Sequence, residues 1–156
     1  MVAVEGTSHM VEIPPKVRAK LQERSFWQFV TLNPDGSPAA TPVWVDVEGD
    51  HVLVNTAIGR RKEQNARRDP RIALAMVDLD DPYTWIEVRG RVVAFVEGRE
   101  ADESIDRLAR KYLGLDRYAT RTPDERRVLL RIEPTFVKYR TEAGSDPGLL
   151  RAKLAG

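Results

Sequence analysis

Strand-like segments separated by turn signals occupy most of this chain, and they do not alternate with helices as βαβ units do. The longest is residues 83–97, where Gly90 suits the bulge or sharp bend that closes a barrel. Six or seven strands with few helices predict a mainly β fold. We therefore expect a small antiparallel barrel rather than a doubly wound parallel sheet.

The first strands are predicted at residues 26–32, 38–47 and 51–56, separated by turn signals at 33–36 and 48–50. This arrangement is typical of an antiparallel meander.

Further strands are predicted at residues 71–79 and 83–97, and a final strand pair, 127–133 and 135–140, is joined at Pro134.

In the second predicted strand, Val43, Val45 and Val47 alternate with Trp44 and Asp46. Successive side chains of a strand point to opposite faces. Trp44 is therefore expected to point away from the valines.

Three helices are predicted between and around the strands. One begins near Pro14, where apolar residues recur at four-residue spacing. A short basic helix spans residues 60–68, and Asp69 and Pro70 end it. The third spans residues 99–113, has one apolar face and ends at Gly114.

With 156 residues, of which 42% are hydrophobic, the chain is expected to form one domain at residues 10–140. Residues 1–9 resemble a vector-derived or disordered leader outside the fold, and residues 141–156 are assigned as a C-terminal tail. No apolar run suits a membrane span, and no signal peptide is recognisable, so a cytoplasmic location is expected.

The absence of cysteine excludes disulfides, a thiolate nucleophile and cysteine-ligated metals. Only His9 and His51 are available, which makes a serine–histidine triad or a histidine-rich metal site improbable, so no metal is expected. The 25 basic and 24 acidic residues give a net charge of +1 and no general attraction to nucleic acid. A nucleic-acid contact through residues 60–68 is further weakened by neighbouring acids.

Residues 55–65 run from a strand end through a glycine turn into a helix start. Such a start presents backbone N–H groups, to which Thr56 adds a hydroxyl and Arg60 and Lys62 add positive charge. A phosphate monoester fits this pattern. The alternative is that the basic cluster is an ordinary solvated helix face, and the spacing alone does not decide between the two.

Four motifs occur in order: Gly-Ser-Pro at residues 36–38, Thr-Pro-Val-Trp at 41–44, Asn-Thr-x-x-Gly-Arg-x-Lys-x-x-Asn at 55–65, and Arg-Asp-Pro-Arg at 68–71. Over residues 12–140 the chain resembles the split-barrel flavin and deazaflavin oxidoreductases of the pyridoxamine 5′-phosphate oxidase-like superfamily. It is most similar to the branch that uses coenzyme F-420. The resemblance implies an FMN-binding type of split barrel.

The resemblance implies that Arg60 and Lys62 bind the cofactor phosphate, with Thr56 and Asn65 supporting the loop. Arg61 either shares this role or faces solvent.

Pro42, Val43 and Trp44 would lie beside the ring system, although Trp44 is equally compatible with the barrel core. The family also implies a homodimer with the cofactor at the subunit interface, where Tyr83 and Trp85, together with Glu87, would reach the other subunit's site. The alternative is a plain cross-strand aromatic cluster.

The first functional hypothesis is an oxidoreductase that uses reduced coenzyme F-420 to transfer a hydride to a small organic acceptor. The alternatives are an FMN-binding reductase or oxidase of the same fold and a non-catalytic F-420 carrier. Pyridoxamine oxidation is disfavoured because the chain lacks the family's C-terminal arginine and histidine motif. No catalytic acid is assigned; a proton would come from solvent or from Tyr83, Tyr112 or Tyr118.

Overall fold

The predicted mainly β fold is confirmed by the computed structural model, which describes residues 2–5, 9–119 and 122–140. Eight antiparallel strands and three helices make up this part of the chain. The strands are β1 Val2–Glu5, β2 Trp27–Leu32, β3 Pro38–Val43, β4 Val45–Glu48, β5 His51–Ala57, β6 Arg71–Val77, β7 Trp85–Glu97 and β8 Arg127–Arg140. The helices are α1 Pro15–Gln22, α2 Arg61–Arg68 and α3 Arg99–Leu113.

The strands are ordered β3-β2-β6-β7-β8-β5-β4, and β1 pairs with the free side of β8. β3 and β4 lie at opposite ends of this order, yet only Trp44 separates them in sequence. The sheet must therefore curl until its two ends meet at Trp44. This closure produces the barrel.

The prediction of a single strand over residues 38–47 is wrong. The β2–β3 and β4–β5 hairpins form as expected, but the chain breaks at Trp44 and passes from one end of the sheet to the other. The helix α3 stabilises this corner, because Tyr112 Oη accepts a hydrogen bond from Val45 N at 3.1 Å and Lys111 Nζ donates one to Val45 O at 2.7 Å. These two side chains thus form hydrogen bonds with the N–H and C=O groups of Val45, at the point where the chain leaves one end of the sheet for the other.

The barrel interior holds the apolar face of nearly every strand. Because the side chains alternate, the inward residues of β2, β5, β6 and β8 meet in one core, which includes Trp27, Phe29, Val52, Val54, Leu74, Leu130 and Ile132. The apolar residues that predicted α1 are buried as expected, with Val17 and Leu21 packed into the same core.

The bend predicted at Gly90 is confirmed by a register shift between β7 and β8 at this residue. A Cβ atom at Gly90 would lie 2.3 Å from the carbonyl oxygen of Glu133, so only glycine permits this approach. Opposite the bend, β8 runs through Pro134 without a break. The expected pair of final strands is therefore one bent strand.

Helix α3 begins and ends where the sequence predicts. Gly114 ends it in the left-handed region, with φ of 69°. Its buried face includes Ile105, Leu108 and Tyr112, which pack outside the barrel against Trp44. This contact forms one side of the site described below.

The expectation that residues 1–9 lie outside the fold is wrong for Val2–Glu5, which pair with β8 from Val2 opposite Tyr139 to Glu5 opposite Phe136. The physical reason is that β5 covers this side of β8 only as far as Ile132. An extended segment therefore finds unpaired backbone groups beyond that point. The tail predicted at residues 141–156 lies outside the described residues. Among those described, no helix is long and apolar enough to cross a membrane.

Candidate functional site

A cleft of about 350 Å³ lies between the barrel and α3. The β3–β4 corner, the end of β5, the start of α2, α3 and the beginning of β8 all contribute to it. Its lining residues are Phe26, Pro42, Val43, Trp44, Asn55, Thr56, Arg60, Lys62, Ile105, Leu108, Tyr118 and Arg127. The size lies within the usual range for a small-molecule site.

One end of the cleft is cationic. Arg60, Lys62 and Arg127 line it, and none of the described lining residues is a carboxylate. Burial lowers the pKa of Lys62, and the positive charges of Arg60 and Arg127 lower it further. No described carboxylate pairs with Lys62, so an anion bound here would offset the repulsion among these cations.

A second feature of this end is the hydroxyl of Thr56. The residue is only 1% exposed, and its Oγ1 has no hydrogen-bond partner among the described residues. A buried hydroxyl that lacks a partner is rare in native proteins, because leaving it unsatisfied costs free energy. Because Thr56 lines the cleft, a ligand bound there would supply the missing partner.

The loop between β5 and α2 is fixed by the buried carboxylate of Glu63, which does not line the cleft. Gly59 takes a φ of 91°, and its N–H donates to Glu63 Oε2 at 3.0 Å. Glu63 also accepts a hydrogen bond from Arg67 and is 3% exposed. Its carboxylate therefore fixes the loop without entering the cleft. The N–H groups of Arg61 and Lys62 precede the first hydrogen bond of α2, which Glu63 N donates to Arg60 O at 3.0 Å.

The other end of the cleft is aromatic and aliphatic. Trp44 stacks on Tyr112 with ring centroids 5.2 Å apart and meets Tyr118 edge-on at 6.2 Å. Trp44 points away from the buried Val43 and Val45, as the alternation predicts. The alternative that Trp44 belongs to the barrel core is wrong, since it packs on the outside against α3.

Sequence reasoning missed Arg127. Its side chain is 4% exposed, and it donates hydrogen bonds to Asn55 Oδ1 at 2.8 Å and to Glu125 Oε1 at 2.6 Å. The antiparallel pairing of β5 with β8 places Arg127 opposite Ala57 and so beside the loop. No local motif marks this residue, because only the strand pairing brings it to the site.

Six of the ten predicted site residues line the cleft: Pro42, Val43, Trp44, Thr56, Arg60 and Lys62. The others do not. Arg61 is exposed at the start of α2 and lies outside the cleft.

Asn65 is buried on the side of α2 that faces the β2–β3 hairpin, where its Nδ2 donates to Thr31 Oγ1 at 3.1 Å and to Asn33 Oδ1 at 3.0 Å. It anchors α2 to this hairpin instead of lining the cleft. Asn65 therefore does not line the cleft within this chain, and its expected support of the loop has a structural basis in these two hydrogen bonds.

Tyr83 and Trp85 also lie away from the cleft. Trp85 begins β7, where it pairs with Val77 on one side and Arg140 on the other, and Lys138 Nζ lies 6.0 Å from its ring centroid. Tyr83 lies in the loop before β7, with its N–H donating to Asp81 Oδ1 at 3.2 Å. Within one protomer neither residue reaches the candidate site.

The profile of the pyridoxamine 5′-phosphate oxidase family matches residues 13–141. The chain belongs to the pyridoxamine 5′-phosphate oxidase family. The superfamily that the sequence resembles is thus confirmed. The fold is that of flavin- and deazaflavin-related oxidoreductases.

Solved structures similar to this family member include an F-420 reductase, at 26% identity and a TM-score of 0.70 over 81% of this chain and 98% of that chain. A conserved hypothetical protein from Mycobacterium tuberculosis has 22% identity and a TM-score of 0.63 over 87% and 89%. A putative pyridoxamine 5′-phosphate oxidase from Listeria innocua has 17% identity and a TM-score of 0.61 over 80% and 94%. These last two show the fold alone. No curated protein matches the chain significantly.

The residues of the cleft fit a planar cofactor that carries a phosphate. The three cations and the unpartnered Thr56 hydroxyl suit the phosphate, and the Trp44 wall suits a ring system. These donors and this apolar surface belong to the cleft of this protein, so its own residues match such a cofactor.

Proposed function

We propose that this protein is a deazaflavin-dependent oxidoreductase that uses reduced coenzyme F-420 to reduce a small organic acceptor. The observation that supports this function is the two-ended cleft, which joins a cationic site with a buried free hydroxyl to an aromatic wall. The choice of a deazaflavin draws on the 26% identity to an F-420 reductase.

Each end of the cleft has a separate task. Arg60 and Lys62 bind the phosphate by charge-assisted hydrogen bonds, and the Thr56 hydroxyl donates a further one. Trp44 and Pro42 orient the ring and exclude water from one face. The bound cofactor supplies the hydride chemistry, so the protein contributes binding, orientation and electrostatic support.

The proton that accompanies hydride transfer comes from Tyr118 or from solvent. Tyr118 lines the cleft. Tyr112 is unsuitable because its hydroxyl already donates to Ser25 O at 2.7 Å and accepts from Val45 N, and burial raises its pKa. Tyr83 lies outside the cleft.

Titration of the protein with each candidate cofactor tests the choice between F-420 and FMN. We expect coenzyme F-420 to bind tightly and FMN more weakly, as followed by the fluorescence of each cofactor. Tight FMN binding with weak F-420 binding would favour a flavin reductase or oxidase instead. An absence of binding by either would contradict the proposed site.

The protein is further proposed to be a homodimer with the cofactor near the subunit interface. The outer face of β2 and β6 carries the small apolar residues Val30, Ala73, Ala75 and Val77, of which Val77 is 52% exposed. A second copy that covers this face would bury it. Light scattering at micromolar concentration should give about twice the chain mass of 17.7 kDa. The mass of a single chain would contradict a shared site.

A further inference from the structure

Glu125 lies behind the cationic end of the cleft, in the turn that precedes β8. Its Oε1 accepts a hydrogen bond from Arg127 Nη1 at 2.6 Å, and its Oε2 lies 3.8 Å from Arg60 Nη2. The side chain is 16% exposed and does not line the cleft. One carboxylate therefore faces two of the three cations that a ligand would meet.

The third cation, Lys62, has no such counter-charge among the described residues. Burial and the positive charges of Arg60 and Arg127 lower its pKa. The site thus combines three positive charges with one negative charge placed behind them. A phosphate that approaches Arg60 is attracted by the cations and repelled by Glu125, and both effects grow with the charge of the phosphate.

We propose that Glu125 is a specificity-determining residue that favours phosphodiesters over phosphate monoesters at this site. The inference rests on the proposed function. A monoester carries close to two negative charges at neutral pH, whereas a diester carries one. The phosphate of FMN is a monoester and that of coenzyme F-420 is a diester, so at the phosphate itself the repulsion from Glu125 is greater for FMN. Coenzyme F-420 also carries an anionic glutamate tail, so the two kinds of ester are compared on one ring system.

Glu125 also orients Arg127, and the test must separate the two effects. Glu125→Gln removes the charge but keeps an oxygen that accepts the hydrogen bond from Arg127. Asp124→Asn is the matched control, because Asp124 is an exposed acid in the same turn and, within the described part of the chain, no ion pair joins it to Arg60, Lys62 or Arg127. Both variants change the net charge of the protein equally.

The experiment measures the dissociation constants of FMN and of its phosphate monomethyl ester, a diester that differs from FMN only at the phosphate, for wild type, Glu125→Gln and Asp124→Asn by fluorescence titration. Coenzyme F-420 is titrated alongside. Removal of the Glu125 charge should lower the dissociation constant about threefold for each negative charge on the phosphate. This is the effect expected when one carboxylate charge repels one phosphate charge in a largely aqueous cleft. We expect about a tenfold gain for FMN and about a threefold gain for its methyl ester. Asp124→Asn should leave both constants within about twofold of wild type.

The ratio of the two dissociation constants decides the proposal. Equal gains for FMN and its methyl ester, or weaker binding of FMN relative to the ester in Glu125→Gln, would overturn it, as would FMN that binds neither wild type nor Glu125→Gln. Glu125→Ala is a second variant, in which both affinities fall if Arg127 loses its orientation, yet the ratio must still shift towards FMN. If wild type binds neither coenzyme F-420 nor FMN, the proposed function fails. If it binds coenzyme F-420 and the ratio for FMN and its methyl ester does not move, only the role of Glu125 is wrong.

Discussion

Replacement of Lys62 by alanine is expected to weaken cofactor binding about ten- to a hundredfold. Lys62 is the cation of the cleft that no described carboxylate neutralises, and its pKa is already lowered by burial and by its basic neighbours. A charge-assisted hydrogen bond to phosphate contributes about 1.5–3 kcal/mol, which corresponds to this loss of affinity. Fluorescence titration with the preferred cofactor measures it.

Arg61→Ala is the control for this variant, because Arg61 is the neighbouring cation of α2 and lies outside the cleft. It should change the dissociation constant by less than about twofold. Neither substitution removes a contact that holds the fold, so both variants should unfold at close to the wild-type temperature. Wild-type affinity in Lys62→Ala would show that the phosphate binds elsewhere.

The parts of the fold that the sequence predicts correctly are local ones. Helix α3 is marked by an apolar face and by Gly114, and the bend at Gly90 by a glycine within a long strand. The closure at Trp44 is not local. It requires β3 and β4 to pair with different partners, and the residues that stabilise the break, Lys111 and Tyr112, lie more than sixty positions away along the chain.

The residues of the candidate site likewise include some that a local motif groups together and others that only tertiary contacts bring to the cleft. Thr56, Arg60 and Lys62 follow one another through a strand, a turn and a helix, so a motif brings them together before any tertiary contact is known. Arg127 and Tyr118 reach the cleft only through the β5–β8 pairing and the packing of α3. The sequence offers Tyr118 only as one of three candidate proton donors, and no spacing places either residue in the cleft.

The assignment of Asn65 to the site shows the limit of a motif. The motif places Asn65 on the same short helix as Lys62, but it does not show which polar groups the Asn65 amide meets once the helix has packed. In the structure this amide donates to Thr31 and Asn33 on the barrel. Its burial at 2% exposure, with both partners polar, explains the residue without any ligand.

Reduction of an acceptor should depend on the cofactor and not on an ionisable histidine. His51 starts β5 opposite Glu48, and His9 is exposed, so neither lies in the cleft. A reduced deazaflavin reacts poorly with oxygen, unlike reduced FMN. The protein loaded with reduced coenzyme F-420 should therefore be stable in air, and His51→Ala should turn over an acceptor at close to the wild-type rate.

The most direct measurement adds a panel of activated enones and similar electron-poor acceptors to the protein loaded with reduced coenzyme F-420, in air, and records the absorbance of the oxidised cofactor. We expect no oxidation until an acceptor is present, and then a rate that saturates with acceptor concentration. Each turnover takes one hydride from the cofactor and one proton from Tyr118 or solvent. If bound cofactor is never oxidised by any acceptor, the protein is a carrier and the proposed enzyme activity is wrong.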